Sequence, residues 1–133
     1  MIVADASWII ALRDPHNVHH SVATGIAEEA AGEDVLLHPV TFAECLVAPA
    51  RLGRLSEAAA MLRAAYEIPD VDPEAPIRWA RLRAQTGLRL PDAIVLDTAI
   101  TSSCDAIVTF DARLAGAAGE RGLDVRGPGR PTA

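Results

Sequence analysis

Ile2-Val3-Ala4-Asp5-Ala6-Ser7-Trp8-Ile9-Ile10-Ala11-Leu12 begins with a short apolar run that stops at an acid, and from Ser7 onward its apolar residues recur at helical spacing. The reading is strand, carboxylate, helix. The same grammar returns late in the chain, where Ala106-Ile107-Val108 is followed by Thr109-Phe110-Asp111 and a short helix from Ala112 to Glu120. Apolar strands that alternate with helices need crossover connections, so the chain is expected to be an α/β domain with a central, mainly parallel sheet covered on both faces.

Working outward, Asp14, Pro15 and Asn17 supply turn chemistry, and a second helix is expected from His19 to Ala31, closed by Gly32. Val35-Leu36-Leu37-His38 reads as a buried strand ended by Pro39. Thr41-Phe42-Ala43-Glu44 then opens a helix to about Leu52, and Ser56 can cap another that runs through Tyr66. Glu67 to Val71 is interrupted by proline and fits an edge strand or connector. Asp72-Pro73 is a cap and first-turn proline for a helix carrying Trp79 and Leu82 and ending near Gly87. Leu90-Pro91-Asp92 starts a helix that is apolar almost all round and therefore central. Leu123-Asp124-Val125 is a last short strand, giving a sheet of about four to five strands, a domain over 1–126 and a tail over 127–133 expected to be disordered.

With 133 residues, one core is the expectation. Half of the residues are hydrophobic and only 4% aromatic, so that core is built from Ala, Val, Leu and Ile. Every one of the 12 basic residues is Arg. The net charge of -6 speaks against a module that binds nucleic acid by phosphate neutralisation alone. It speaks less against a metal nuclease, whose clustered acids inflate the negative total while bound cations reverse the local sign. Cys45 and Cys104 stand far apart without a CxxC pair and read as reduced core thiols. The N-terminus lacks a basic leader and a cleavage-site pattern, and no stretch approaches the ~18 apolar residues needed to span a bilayer, so a soluble cytoplasmic protein is expected.

The acids carry the functional signal. Asp5 and Asp111 follow strands, while Glu44 and Asp92 lie in the opening turns of helices. In a parallel sheet, strand C-termini and helix N-termini share one edge, so these four acids can converge there. Taken alone, each has an ordinary explanation. Thr41-x-x-Glu44 fits a capping box, and the other three acids fit helix starts, where the dipole favours a carboxylate. If they do converge, they repel, and a cation is required to neutralise them. An all-oxygen donor set points to Mg²⁺ or Mn²⁺ rather than Zn²⁺, and so to ion-assisted hydrolysis of a phosphate ester. Thr109 precedes Asp111 by two positions and would face the same side of a strand, within reach of the site.

Ile-Val-Ala-Asp-Ala-Ser at 2–7, Thr-Phe-Ala-Glu at 41–44, Leu-Pro-Asp-Ala-Ile-Val at 90–95 and Ile-Val-Thr-Phe-Asp at 107–111 together resemble the motifs of PIN domains, and more narrowly those of VapC-type toxins of toxin-antitoxin pairs. The resemblance runs over nearly the whole chain. It implies a PIN-like three-layer α/β/α fold and an Mg²⁺- or Mn²⁺-dependent endoribonuclease acting on RNA. Asp5, Glu44, Asp92 and Asp111 match the family's acidic positions one by one, Asp111 at the most variable of them, and Ser7 matches a supporting polar position. A short antitoxin partner and a homodimer are implied as well.

Asp97 departs from the family pattern. Five residues beyond Asp92, it is rotated by roughly 500°, about 140° away from it, and is left outside the ligand set. His16-x-x-His19-His20 has no matching acid or Cys and reads as exposed polar residues. Arg78, Arg81, Arg83 and Arg89 form the densest basic stretch, mainly a solvated face with the potential to contact phosphate. Trp8 and Trp79 sit in helical patterns and read as packing residues. A non-catalytic PIN-like module binding RNA or protein is the alternative class, and an intact acidic set argues against it. A phosphoacceptor receiver domain would need a late Lys, which the chain lacks, and neither GxxxxGK[ST] nor GxGxxG is present.

Overall fold

A computed structural model of the chain describes residues 1–128. In order, the elements are β1 (Ile2–Ala4), α1 (Ala6–Arg13), α2 (His20–Glu29), β2 (Val35–Leu36), α3 (Pro39–Arg51), α4 (Leu55–Ala65), α5 (Ala75–Thr86), α6 (Leu90–Thr101), β3 (Ala106–Val108), α7 (Ala112–Glu120) and β4 (Asp124–Arg126). Among the described residues the sheet has four strands in the order β2-β1-β3-β4, all parallel. β1 and β3 are central, with Ile2, Val3 and Ala4 opposite Ala106, Ile107 and Val108.

The period of two along a strand explains the layers. Ile2, Ala4, Ala106 and Val108 point into one apolar cluster with Trp8, Ile9, Ala23, Ile26 and Cys45, which belong to α1, α2 and α3. Val3 and Ile107 point the other way, toward Val95, Leu96 and Ala99 of α6 and Leu114 and Ala118 of α7. Helices thus cover both faces, and α5 packs along α6, adding Leu82 to the second cluster. α6 is buried over Asp92 to Ala99, as a helix apolar almost all round requires. Gly87 closes α5 in the left-handed conformation, with φ 71°.

Some local readings are corrected. Pro39 starts α3 rather than only ending a strand: it occupies the first helical turn behind His38, whose Nδ1 accepts from Val40 N at 3.0 Å. Thr41 is therefore inside the helix, and Thr41-x-x-Glu44 is not a capping box. α4 starts one residue before Ser56, behind Arg54, and α5 starts at Ala75 because Asp72 caps a separate turn through Glu74 N. β2 is only two residues long; of the segment expected as an edge strand or connector, Glu67 makes a single parallel bridge to Leu36. β4 lies one residue later than expected. Of the tail, residues 129–133 lie outside the described residues. Among the described residues no helix is long and apolar enough to cross a membrane.

Candidate active site

Asp5 stands at the C-terminal end of β1 and at the N-cap position of α1, yet its carboxylate makes no capping bond. It is 6% exposed, and its Oδ2 accepts from Ser7 Oγ at 2.7 Å and from Thr109 Oγ1 at 2.8 Å. Each hydroxyl is oriented by a backbone amide: Phe110 N donates to Ser7 Oγ and Asp111 N to Thr109 Oγ1, both at 3.0 Å. With its proton directed at Asp5 and its lone pair engaged from behind, each hydroxyl has one orientation available. Neither of these bonds involves Oδ1.

Asp111 caps α7, accepting from Leu114 N at 2.9 Å through Oδ1. Its Oδ2 lies 3.7 Å from Nη2 of Arg89, whose Nε reaches Asp92 Oδ2 at 3.3 Å. Asp92 is buried in the first turn of α6. Glu44 lies beyond the first turn of α3 and is half-buried. Burial, followed by the charges of Asp5 and Asp92, pushes the Glu44 carboxyl above the ordinary range. Burial and the charge of Asp111 raise Asp92 likewise, while Arg89 pulls it back. The fold therefore brings all four acids into each other's fields at one sheet edge, and of their ordinary capping roles only that of Asp111 is realised.

Asp97 goes elsewhere. It binds Arg78 through Nε at 2.8 Å and Nη2 at 3.2 Å, and accepts from Trp79 Nε1 at 3.2 Å. Cys45 adjoins Glu44 in sequence, but burial pushes its thiol up to about 12, so it remains a protonated core thiol.

The model of the PIN domain matches residues 2–120, and with them every acid of the cluster. The chain belongs to the PIN-domain family. Solved structures of PIN-like fold agree with its architecture. A toxin–antitoxin complex from Klebsiella pneumoniae is 22% identical with a TM-score of 0.72, over 86% of this chain and 90% of that one. VapC20 from Mycobacterium tuberculosis, a sarcin-ricin loop cleaving toxin, is 17% identical with a TM-score of 0.71, over 88% and 95%. FitAcB from Neisseria gonorrhoeae is 22% identical with a TM-score of 0.69, over 96% and 98%. No curated protein is matched by sequence.

Within this PIN domain, sequence reasoning missed two features. Arg89 was grouped with a basic face, whereas its guanidinium turns back over Asp92 and Asp111; its place three residues before an acid at a helix start was the available signal. His19 lies against Phe110, with ring centroids 4.9 Å apart, rather than standing as a free polar residue. No motif pointed to that contact.

Proposed function

We propose that this PIN domain is a metal-dependent endoribonuclease and the toxin component of a toxin–antitoxin pair of the VapC type. The observation that carries the reading is the state of the acids: Asp5 makes no capping bond, and Glu44 and Asp92 are raised first by burial and then by the charges of neighbouring acids of the cluster. Such an arrangement costs stability, and sites that carry such a cost are commonly functional.

The donor set fits a hard divalent cation. Its ligands would be carboxylate oxygens, its charge is negative, and among the described residues the cation that lies between them is the Arg89 guanidinium. Among the described residues no three His, Cys, Asp or Glu side chains already stand at chelating distance, so the acids must turn inward to share an ion. Asp5, Glu44, Asp92 and Asp111 would hold Mg²⁺ or Mn²⁺. When bound, such an ion supplies Lewis acidity toward the phosphodiester and acidity to water. Ser7 and Thr109 fix Asp5 in place, and Glu44, whose proton affinity is raised, is suited to accept the proton of the attacking water. RNA as the substrate is supported by the like-folded toxin that cleaves the sarcin-ricin loop.

An antitoxin partner is supported by an apolar cleft of about 590 Å³ between α1, α3 and α4, with Ile10, Leu52 and Met61 well exposed along it. A helix with a matching apolar face fits there. A homodimer and a cytoplasmic location complete the proposal, and light scattering tests the former.

The decisive experiment is cleavage of RNA with Mg²⁺, Mn²⁺ or chelator by the wild type, Asp5→Ala and Asp92→Asn. The wild type should cut only with the ion. Both variants should lose more than the roughly 100-fold that follows loss of an outer-sphere partner. Equal activity under all conditions would falsify the metal-nuclease reading.

A further inference from the structure

Arg89 precedes α6 at its N-cap position, where a cation is unfavourable, and it makes no side-chain cap bond. Its side chain is 70% exposed, yet the guanidinium is folded back between Asp92 Oδ2, 3.3 Å from Nε, and Asp111 Oδ2, 3.7 Å from Nη2. Glu44 adds to the same field. Both separations are longer than the ~2.7–2.9 Å of a strong charge-assisted hydrogen bond. Exposed ion pairs of this kind add little to stability. The guanidinium is therefore held by the pooled charge of the acids rather than by packing.

Arg78 shows the contrast. It donates to Asp97 from Nε at 2.8 Å and from Nη2 at 3.2 Å, and to Asp72 from Nη1 at 2.8 Å, with only 29% of its side chain exposed. That arginine is a fixed strut between α5 and α6. Arg89 has looser contacts, an open path to solvent and a long flexible stem.

We propose that Arg89 is a displaceable internal counter-ion: it neutralises Asp92 and Asp111 before a divalent ion arrives, leaves when the ion binds, and then receives the substrate phosphate with its freed guanidinium. The inference rests on the reading of the acids as cation ligands. A second cation between the same two carboxylates would be repelled by Arg89 while losing the charge that Arg89 neutralises, so the two compete for one position. Once outside, a planar guanidinium beside the acids is matched to a phosphate in geometry and charge. One residue thus lowers the cost of an acidic pocket without an ion and supplies a positive contact once the pocket is loaded.

The test is calorimetric titration of the ion-free protein with Mn²⁺, comparing the wild type with Arg89→Gln, Arg89→Lys and Asp5→Asn, with the fold of each checked by circular dichroism. Arg89→Gln should bind Mn²⁺ roughly tenfold more tightly than the wild type. Arg89→Lys, which keeps the charge, should stay close to the wild type. Binding to a cleavage-resistant phosphorothioate RNA supplies the second readout. With Mn²⁺ present, the salt slope should fall in Arg89→Gln by about 0.7, the value of one single-strand phosphate contact, and with chelator it should not change. Equal or weaker Mn²⁺ binding by Arg89→Gln overturns the competition, and an unchanged slope overturns the handover. Mn²⁺ binding that Asp5→Asn leaves intact instead takes down the reading of the acids themselves.

Discussion

Thr109 Oγ1 donates to Asp5 Oδ2 at 2.8 Å, a bond between residues 104 apart in sequence that ties the end of β3 to the end of β1. Because Ser7 Oγ donates to the same oxygen, Asp5 is held by two hydroxyls at once. Thr109→Val keeps the shape and removes the donor. It should lower ion-dependent RNA cleavage roughly 10–100-fold and stability by about 1–2 kcal/mol, whereas Thr109→Ser should retain most of both. Cleavage assays and denaturant melts of the pair check this, and full activity in Thr109→Val would refute the positioning role.

Gly127 lies against the backbone of Thr109. A Cβ there would overlap the Thr109 carbonyl oxygen and stand 3.2 Å from its carbon and 3.4 Å from Phe110 Cδ1. Gly127→Ala should therefore shift the segment that orients Asp5. The expected outcome is a loss of roughly 1–3 kcal/mol in thermal or chemical unfolding, together with slower cleavage. A variant as stable and active as the wild type would show that this approach is not required.

The Glu44 carboxyl is raised first by burial and then by Asp5 and Asp92. A carboxyl whose pKa is higher folded than unfolded contributes most favourably below its ordinary value, about 4.3, and that contribution is lost as the pH rises through the folded value. Glu44→Gln carries no charge at any pH. In the presence of chelator, its melting temperature should match the wild type in acid and exceed it by a few degrees at neutral pH, the shift expected of ~1 kcal/mol. A neutral-pH melt no higher than that of the wild type would contradict the repulsion.

Asp97 is committed to Arg78 and Trp79. Asp97→Ala leaves the Arg78 guanidinium with Asp72 alone, and should cost roughly 3 kcal/mol while leaving Mn²⁺ affinity unchanged. Loss of Mn²⁺ binding in a folded Asp97→Ala protein would move Asp97 into the ligand set.

Much of this molecule is legible in its sequence because the decisive signals are local. β1 and β3 are fully buried apolar runs, and α6 is apolar almost all round, so their types and order follow from periodicity. The acids could be placed at one edge because parallel topology fixes where strand ends and helix starts lie. What escaped depends on contacts between distant segments. Pro39 suits the end of a strand and the first turn of a helix equally, and only the His38 cap decides between them. β2 shortens because its pairing with β1 is limited to Ile2 and Val3 and Glu67 adds only a single bridge on its other side. The i,i+3 spacing to Asp92 hints at where the Arg89 side chain goes, but its reach to Asp111 and the field of Glu44 come from separate stretches that no local pattern encodes.

The bond between Thr109 and Asp5 also has a temporal meaning. β1 is synthesised first, but its neighbour β3 and the Thr109 hydroxyl that binds Asp5 from that side follow a hundred residues later. Pairing between strands so far apart is slow to form and cannot begin before the second one exists. On the ribosome, the N-terminal acid and Ser7 therefore emerge long before Thr109, the second hydroxyl that holds Asp5, and the four acids cannot assemble until residue 111 is free to fold. The acidic edge is thus a late product of folding, closed only when the two central strands meet.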